Sequence, residues 1–356
     1  MTLSPSRPGV PAGYAVVRAG RGSFLVHRRA TGVAAALAVL LAAACLTYLC
    51  WAQSFVAPSE VLKVVLGQPS PDELTVGTFR LPRMTVGVLV GAAFGVAGAL
   101  IQTVSRNPLA SPDIIGVTQG ASALTVGALT FGVTSYAVLP YVSVLGGLLA
   151  AALVYAFAWR GGMHAGRFVL IGIGFAVALR AVTNLFMTKG DYLVAQQAKV
   201  WMTGSLGDRG WAEAVPVAWA LLLLAPCVCW AARAQRTVSM DDDTATALGV
   251  RLDRVRLGLA ALGVVLASIA TGAAGPVDFV ALLAPQLARR MTRTAQIPLL
   301  CAALTGAVIV VVADLLGRKL FEPTQLPVGV LTAAVGAPYL IWLLVRGRTG
   351  RSGGNA

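Results

Sequence analysis

Apolar residues run along this chain in long stretches, as from Thr31 to Trp51 and from Leu299 to Leu316, with scarcely a charge inside them. A helical stretch of about 20 apolar residues matches the ~30 Å hydrocarbon core of a bilayer at 1.5 Å per residue. The pattern predicts ten spans, at about 31–52, 84–104, 112–131, 138–159, 167–187, 211–232, 256–274, 276–292, 297–316 and 327–345. The short-period alternation of barrel strands is absent, so the expected fold class is all-α, a polytopic membrane protein. Between the fifth and sixth spans, Val194, Ala198, Trp201, Met202 and Leu206 recur at helical spacing in a stretch too polar to cross. That spacing predicts a short interfacial helix within Tyr192 to Leu206. Residues 1–30, polar and rich in Pro, Gly and Arg, are expected to form a disordered cytoplasmic tail. Residues 31–346 form the membrane domain and 347–356 a second cytoplasmic tail. The stretch Leu41 to Cys45 loosely resembles a lipoprotein cleavage site, but further spans follow it where a lipoprotein would continue into a soluble domain. The first span is therefore expected to stay uncleaved.

Composition supports this reading. Only 12% of the 356 residues are charged, about half the ~25% of a soluble domain, and the mean hydropathy is +0.78. Lysine and arginine number 28 against 14 acids, for a net charge of +14. In a soluble protein that excess would suggest nucleic acid; here it sorts by side of the membrane. With the N-terminus inside, nineteen of the 28 cations fall on the cytoplasmic side, and eight (Lys63, Arg80, Arg83, Lys189, Lys199, Arg209, Arg318 and Lys319) fall outside. Arg180 lies within a span. The bias predicts both termini inside and leaves no role for nucleic acid. All five cysteines lie in apolar spans, and Cys227 and Cys229 point to different helix faces, so they read as core residues. His27 and His164 lie in different cytoplasmic segments, which argues against a histidine metal site.

A weak repeat runs through the chain. A small-residue helix from Gly91 to Gln102 is followed by the Pro-containing stretch Asn107 to Asp113 and a new helix. A second, from Gly263 to Ala274, is followed by Gly275 to Phe279 and a short helix containing Pro285. The first enters from outside and the second from inside, so the halves are inverted. Paired Gly/Pro interruptions of this kind point to a translocation path, although both residues are common in membrane helices.

These blocks resemble, in order and spacing, the ABC-importer permease family for iron-siderophores, haem and cobalamin. The resemblance rests on Arg80 to Arg83, Gly98 to Gln102, Asn107 to Gly116, Trp201 to Leu206, Leu248 to Val250, Gly275 to Val280, Ala284 to Arg289, Ala313 to Arg318, Leu326 to Val330 and Gly336 to Leu340. It covers about Ala30 to Arg346. Two positions depart: Gln286 stands where the family often has histidine, and Asp278 where glycine is common. The resemblance implies a second permease subunit, identical or paralogous, two cytoplasmic ATPase subunits, an extracytoplasmic binding protein and a location in the bacterial inner membrane. No Gly-x-x-x-x-Gly-Lys-Ser/Thr phosphate loop occurs, so no cofactor is expected in this chain, and ATP and Mg belong to the partner ATPase. The Ser111 to Asp113 and Thr203 to Ser205 variants are more similar to siderophore members, which makes a ferric siderophore the expected cargo; cobalamin and haem are the alternatives.

Three sets of candidate site residues follow. Arg80, Arg83 and Arg318 fall on the outer side, and the resemblance implies that they accept glutamates of the binding protein; snorkelling to lipid headgroups is the plainer reading. The cytoplasmic stretch 240–250 opens with capping residues and stops at a glycine, a short helix by its own punctuation. By resemblance this is a coupling helix inserted into the ATPase, carried by Asp242, Asp243, Thr244, Ala245, Leu248 and Gly249; a plain capped loop is the alternative. Arg180, with Asn184 one turn on, lies about 20 Å from the inner end of its span. An intramembrane arginine usually faces a cavity or the bundle interior, and here it reads as a cationic element of the path for an anionic chelate, or as an arginine snorkelling outward. An ion-coupled secondary transporter would need acids deep in the spans, whereas Asp113, Asp278 and Asp314 lie near predicted ends. A membrane enzyme would need clustered catalytic side chains near one interface.

Overall fold

The computed structural model describes residues 13–349 apart from 20–21, 52–53, 134, 136, 159–164, 241 and 321–323. Ten of its helices coincide with the predicted spans: α1 (Arg28–Cys50), α3 (Leu81–Ser105), α4 (Val117–Thr130), α5 (Leu139–Ala158), α6 (Ala165–Lys189), α8 (Trp211–Val238), α10 (Leu252–Ala274), α11 (Val280–Thr292), α12 (Leu299–Lys319) and α13 (Val328–Thr349). Three shorter helices lie between them: α2 (Pro58–Val65), α7 (Tyr192–Met202) and α9 (Asp242–Ala247). Helix α7 falls where the polar, helically spaced segment predicts one.

Seven of the described helices are long and apolar enough to cross a membrane. Helices α4 and α11 are not: at 14 and 13 residues they reach about 20 Å, short of the ~30 Å core. The expected spans 112–131 and 276–292 are therefore corrected to interrupted ones. Pro112 opens a separate turn over Pro112–Ile115, and Gly116 then adopts φ +83° before α4 begins. In the other half, Gly275 (φ +73°), Pro276 and Phe279 (φ +65°) delay the start of α11. Backbone of this kind is tolerated at membrane depth only inside protein or beside a water-filled cavity.

The tail is the second correction. Where disorder is expected, Tyr14–Ala19 (β1) and Gly22–His27 (β2) pair as an antiparallel hairpin, with Tyr14 opposite His27. Val16, Val17, Phe24, Leu25 and Val26 are strand-forming residues. The hairpin is tied to α1 by the Arg28 amide donating to Gly13 O at 3.0 Å and by the His27 ring nitrogen accepting from the Ala30 amide. Residues 1–12 of the tail lie outside the described residues.

Helix α3 is the centre of the bundle and packs against α8, α10, α11 and α12. Its small residues allow this: a Cβ on Gly91 would collide with the carbonyl of Gly306, and one on Gly98 with the carbonyl of Ala281. Lipid offers no hydrophobic drive between helices, so close backbone approach supplies the attraction. Helices α6 and α8, by contrast, are mostly exposed along their apolar lengths.

Candidate functional site

The outer end of α3 carries a buried cluster of charges. A π-helical segment, Leu74–Arg80, leads into Leu81 and Pro82, and its wide turn sets Arg80 and Arg83 inward. Arg80 Nη1 donates to Leu49 O at 2.7 Å, and Nη2 donates to Ser54 O at 2.8 Å and Oγ at 2.9 Å. Arg83 grips Asp314 with two bonds, Nη2 to Oδ1 at 2.7 Å and Nε to Oδ2 at 3.0 Å. The Tyr48 hydroxyl donates to the same carboxylate at 2.6 Å. Arg318, one turn beyond Asp314 on α12, lies over the Tyr48 ring at 5.0 Å, and its Nε and Nη1 have no hydrogen-bond partner among the described residues.

The three arginines expected to dock the binding protein lie largely inside the structure. Arg80, Arg83 and Arg318 are only 3%, 9% and 8% exposed. Backbone carbonyls satisfy Arg80 and a carboxylate satisfies Arg83, so neither needs to reach headgroups. Asp314 is the residue that the sequence leaves unassigned. Its position four residues before Arg318, on one helix face, is the available signal.

The inner end of α3 meets the predicted coupling segment. Of 240–250, residues Asp242–Ala247 form α9, while Asp241 lies outside the described residues. Ala245 is buried against the bundle. Asp243 and Thr244 face out, and Leu248, in the turn after the helix, is 69% exposed. Gly249 takes φ +77° and ends the segment. Asp242 Oδ1 accepts from Arg106 Nη2 at 2.6 Å and from Arg256 Nη2 at 2.7 Å. The hydrogen bond from Arg256, and then that from Arg106, hold its carboxyl below the usual aspartate range. Arg106 also donates to Val238 O and Met240 O at 3.1 and 2.8 Å.

Arg180 and Asn184 are exposed on α6, one turn apart. Asp278, in the break before α11, is near enough to Arg180 to interact with it electrostatically, and Asp113 interacts likewise with Asp278. Asp113 itself accepts from Thr118 Oγ1 at 2.9 Å. The three sets do not converge: Arg83 and Arg106 lie 23 residues apart on α3, about 35 Å along the axis.

Interrupted spans, a glycine-packed central helix and charged clusters at its two ends define a polytopic α-helical membrane permease. Residues 40–346 match the FecCD transport family. The chain belongs to that family, whose members are permease subunits of ABC importers. It is 40% identical to the ferric enterobactin transport system permease protein of Escherichia coli, over 81% of this chain and 88% of that one. It is 37% identical to the achromobactin transport system permease protein of Dickeya dadantii, over 94% and 97%. A solved structure described as an inward-facing conformation of a metal-chelate type ABC transporter matches with a TM-score of 0.77 and 26% identity, covering 89% of this chain and 99% of that chain.

Proposed function

We propose that this chain is the membrane permease of an importer that takes up a ferric siderophore handed over by an extracytoplasmic binding protein. A second permease subunit completes the path, and two separate cytoplasmic ATPase subunits drive it. One observation carries the reading: the family match runs through nearly the whole membrane domain, and two similar proteins are named for the transport of ferric enterobactin and of achromobactin. Both termini lie in the cytoplasm on this reading, consistent with the charge bias. Asp314, buried under two partners, is poorly placed as a proton carrier, which disfavours an ion-coupled transporter.

The buried outer cluster reshapes the docking role. Arg318 Nε and Nη1 are buried and unpartnered among the described residues, so a carboxylate of the binding protein would reach them only by inserting beside the outer end of α12; Arg80 and Arg83 build the ground beneath it. On the inner side, α9 is the ATPase contact, with Leu248 as its exposed apolar residue. Arg180 and Asn184 line the path.

The test is reconstitution of the permease with its neighbouring ATPase and binding protein in vesicles. Uptake is measured for ferric enterobactin, ferric achromobactin, ferric citrate, haem and cobalamin. ATP-dependent uptake of one ferric chelate, insensitive to a protonophore, is expected. Uptake of haem or cobalamin instead, or uptake driven by an ion gradient without ATP, would overturn the reading.

A further inference from the structure

We propose that Asp242 is a positioning residue that pins α9 to the inner ends of α3 and α10 at once, so that the coupling segment cannot move without moving the helices that open both halves of the repeat. This rests on α9 being the ATPase contact and names how that contact is fastened. Helix α9 has only six residues and buries only Ala245, too little apolar surface to hold it in place. Among the described residues, the side-chain bonds from α3 and α10 to α9 itself converge on one oxygen. Asp242 Oδ1 receives Arg106, which closes α3, at 2.6 Å and Arg256, in the first turns of α10, at 2.7 Å.

Arg106 is built for this. It sits at φ +49°, a left-handed conformation that side-chain-bearing residues adopt only where their surroundings demand it. Its Nη2 is shared among Asp242 and the carbonyls of Val238 and Met240 at the end of α8. Three elements therefore meet at one guanidinium. The seam between α3 and α12 is closed by Gly91 against Gly306, so α3 cannot slide there and travels with α11 and α12 as a block. Room exists at the inner rim: a polar cavity of about 250 Å³, lined by Gln102, Arg106, Gln235 and Gln286, lies beside the pin. Displacement of α9 is thus passed to α3 through Arg106 and to α10 through Arg256, while the cavity takes up the rearrangement.

The test uses the assembled importer in vesicles with the ferric chelate selected by the uptake panel. The readout is ATP hydrolysed per chelate transported, in Asp242→Asn, Arg106→Gln, the double variant and Asp242→Glu. The single variants are expected to raise that ratio several-fold. The double variant is expected to match the worse single, since the Asp242–Arg106 bond is lost in both, and Asp242→Glu is expected to recover part of the coupling. Wild-type ratios in both single variants, or effects that simply add in the double, would overturn the proposal. Loss of ATPase assembly in Asp242→Asn but not in Arg106→Gln would also overturn it, because the carboxylate would then seat the ATPase directly. Failure of the underlying reading is distinguishable: it is reported by Leu248→Asp, which leaves the pin intact.

Discussion

Replacing Asp314 with asparagine removes the carboxylate that Arg83 grips while keeping its size. Three guanidiniums crowd the site, and Asp314 is 1% exposed. The asparagine still offers Arg83 and Tyr48 an acceptor, but the charge that balances Arg83 is gone. Removing one partner of a buried pair typically costs about 3–5 kcal/mol, because the other charge stays buried without compensation. At 1.4 kcal/mol per tenfold, that is roughly a hundred- to several-thousand-fold shift toward the unfolded state. The assay is denaturant unfolding of the purified permease in detergent or nanodiscs. Arg83→Met combined with Asp314→Leu should recover most of the loss, since an apolar pair can replace a buried ionic one. The Tyr48 hydroxyl then lacks its acceptor, leaving a residual cost of about 1–3 kcal/mol. Wild-type stability in Asp314→Asn would refute the reasoning and return Arg83 to the docking surface. A corollary concerns docking itself: reversing Arg80 or Arg83 is expected to report on folding, whereas Arg318→Ala should slow association with the binding protein in a stable permease.

Leu248→Asp should leave insertion intact but uncouple ATP hydrolysis from uptake, since burying an unpaired carboxylate in the ATPase costs several kcal/mol; unchanged coupled turnover in vesicles would contradict it. Gly91→Val should overpack the α3–α12 seam by at least ~1–3 kcal/mol and lower the yield of folded protein, which size-exclusion of the purified variant would measure. The pin at Asp242 has a pH signature: its carboxyl titrates lower when folded, so its contribution is complete above the ordinary aspartate value of about 3.9 and is lost only as pH falls below that. Coupling measured between about pH 5 and 8 should therefore show no step from this group. Arg180→Gln should lower transport of anionic relative to neutral chelates, and Asp278→Asn should shift the same ratio the other way, because the two charges oppose each other; shifts in one direction for both would refute this.

The span pattern was legible because a bilayer demands long apolar runs, and nothing in the tertiary fold can hide them. Helix α9 was legible for a different reason, its own capping residues and terminal glycine. The environment of Arg83 was not, because its partner lies 231 residues away and no periodicity links them. The same holds for Arg106, bonded to a residue 136 positions on. The hairpin was missed because its strands are short and interspersed with glycine and arginine, which reads as a polar tail when only span-length apolar runs are sought. The breaks before α4 and α11 were half visible: Pro112 and Pro276 mark them, but only the observed helix lengths show that both segments fall short of a full crossing.

Charge placement along α3 gives the molecule a division of labour. Its middle is fixed by backbone contact with α11 and α12, where no ionisable group of α3 lies between Arg83 and Arg106. A relay of protons along this helix is therefore not available, and a signal can cross only as displacement of the whole rod. Its ends are held differently. The outer one is locked by a buried bidentate pair, and the inner one is joined to α9 by half-exposed bonds. Changes at the centre or the outer end should consequently damage the fold, while changes at the inner end should leave a folded permease whose ATP hydrolysis and uptake have come apart.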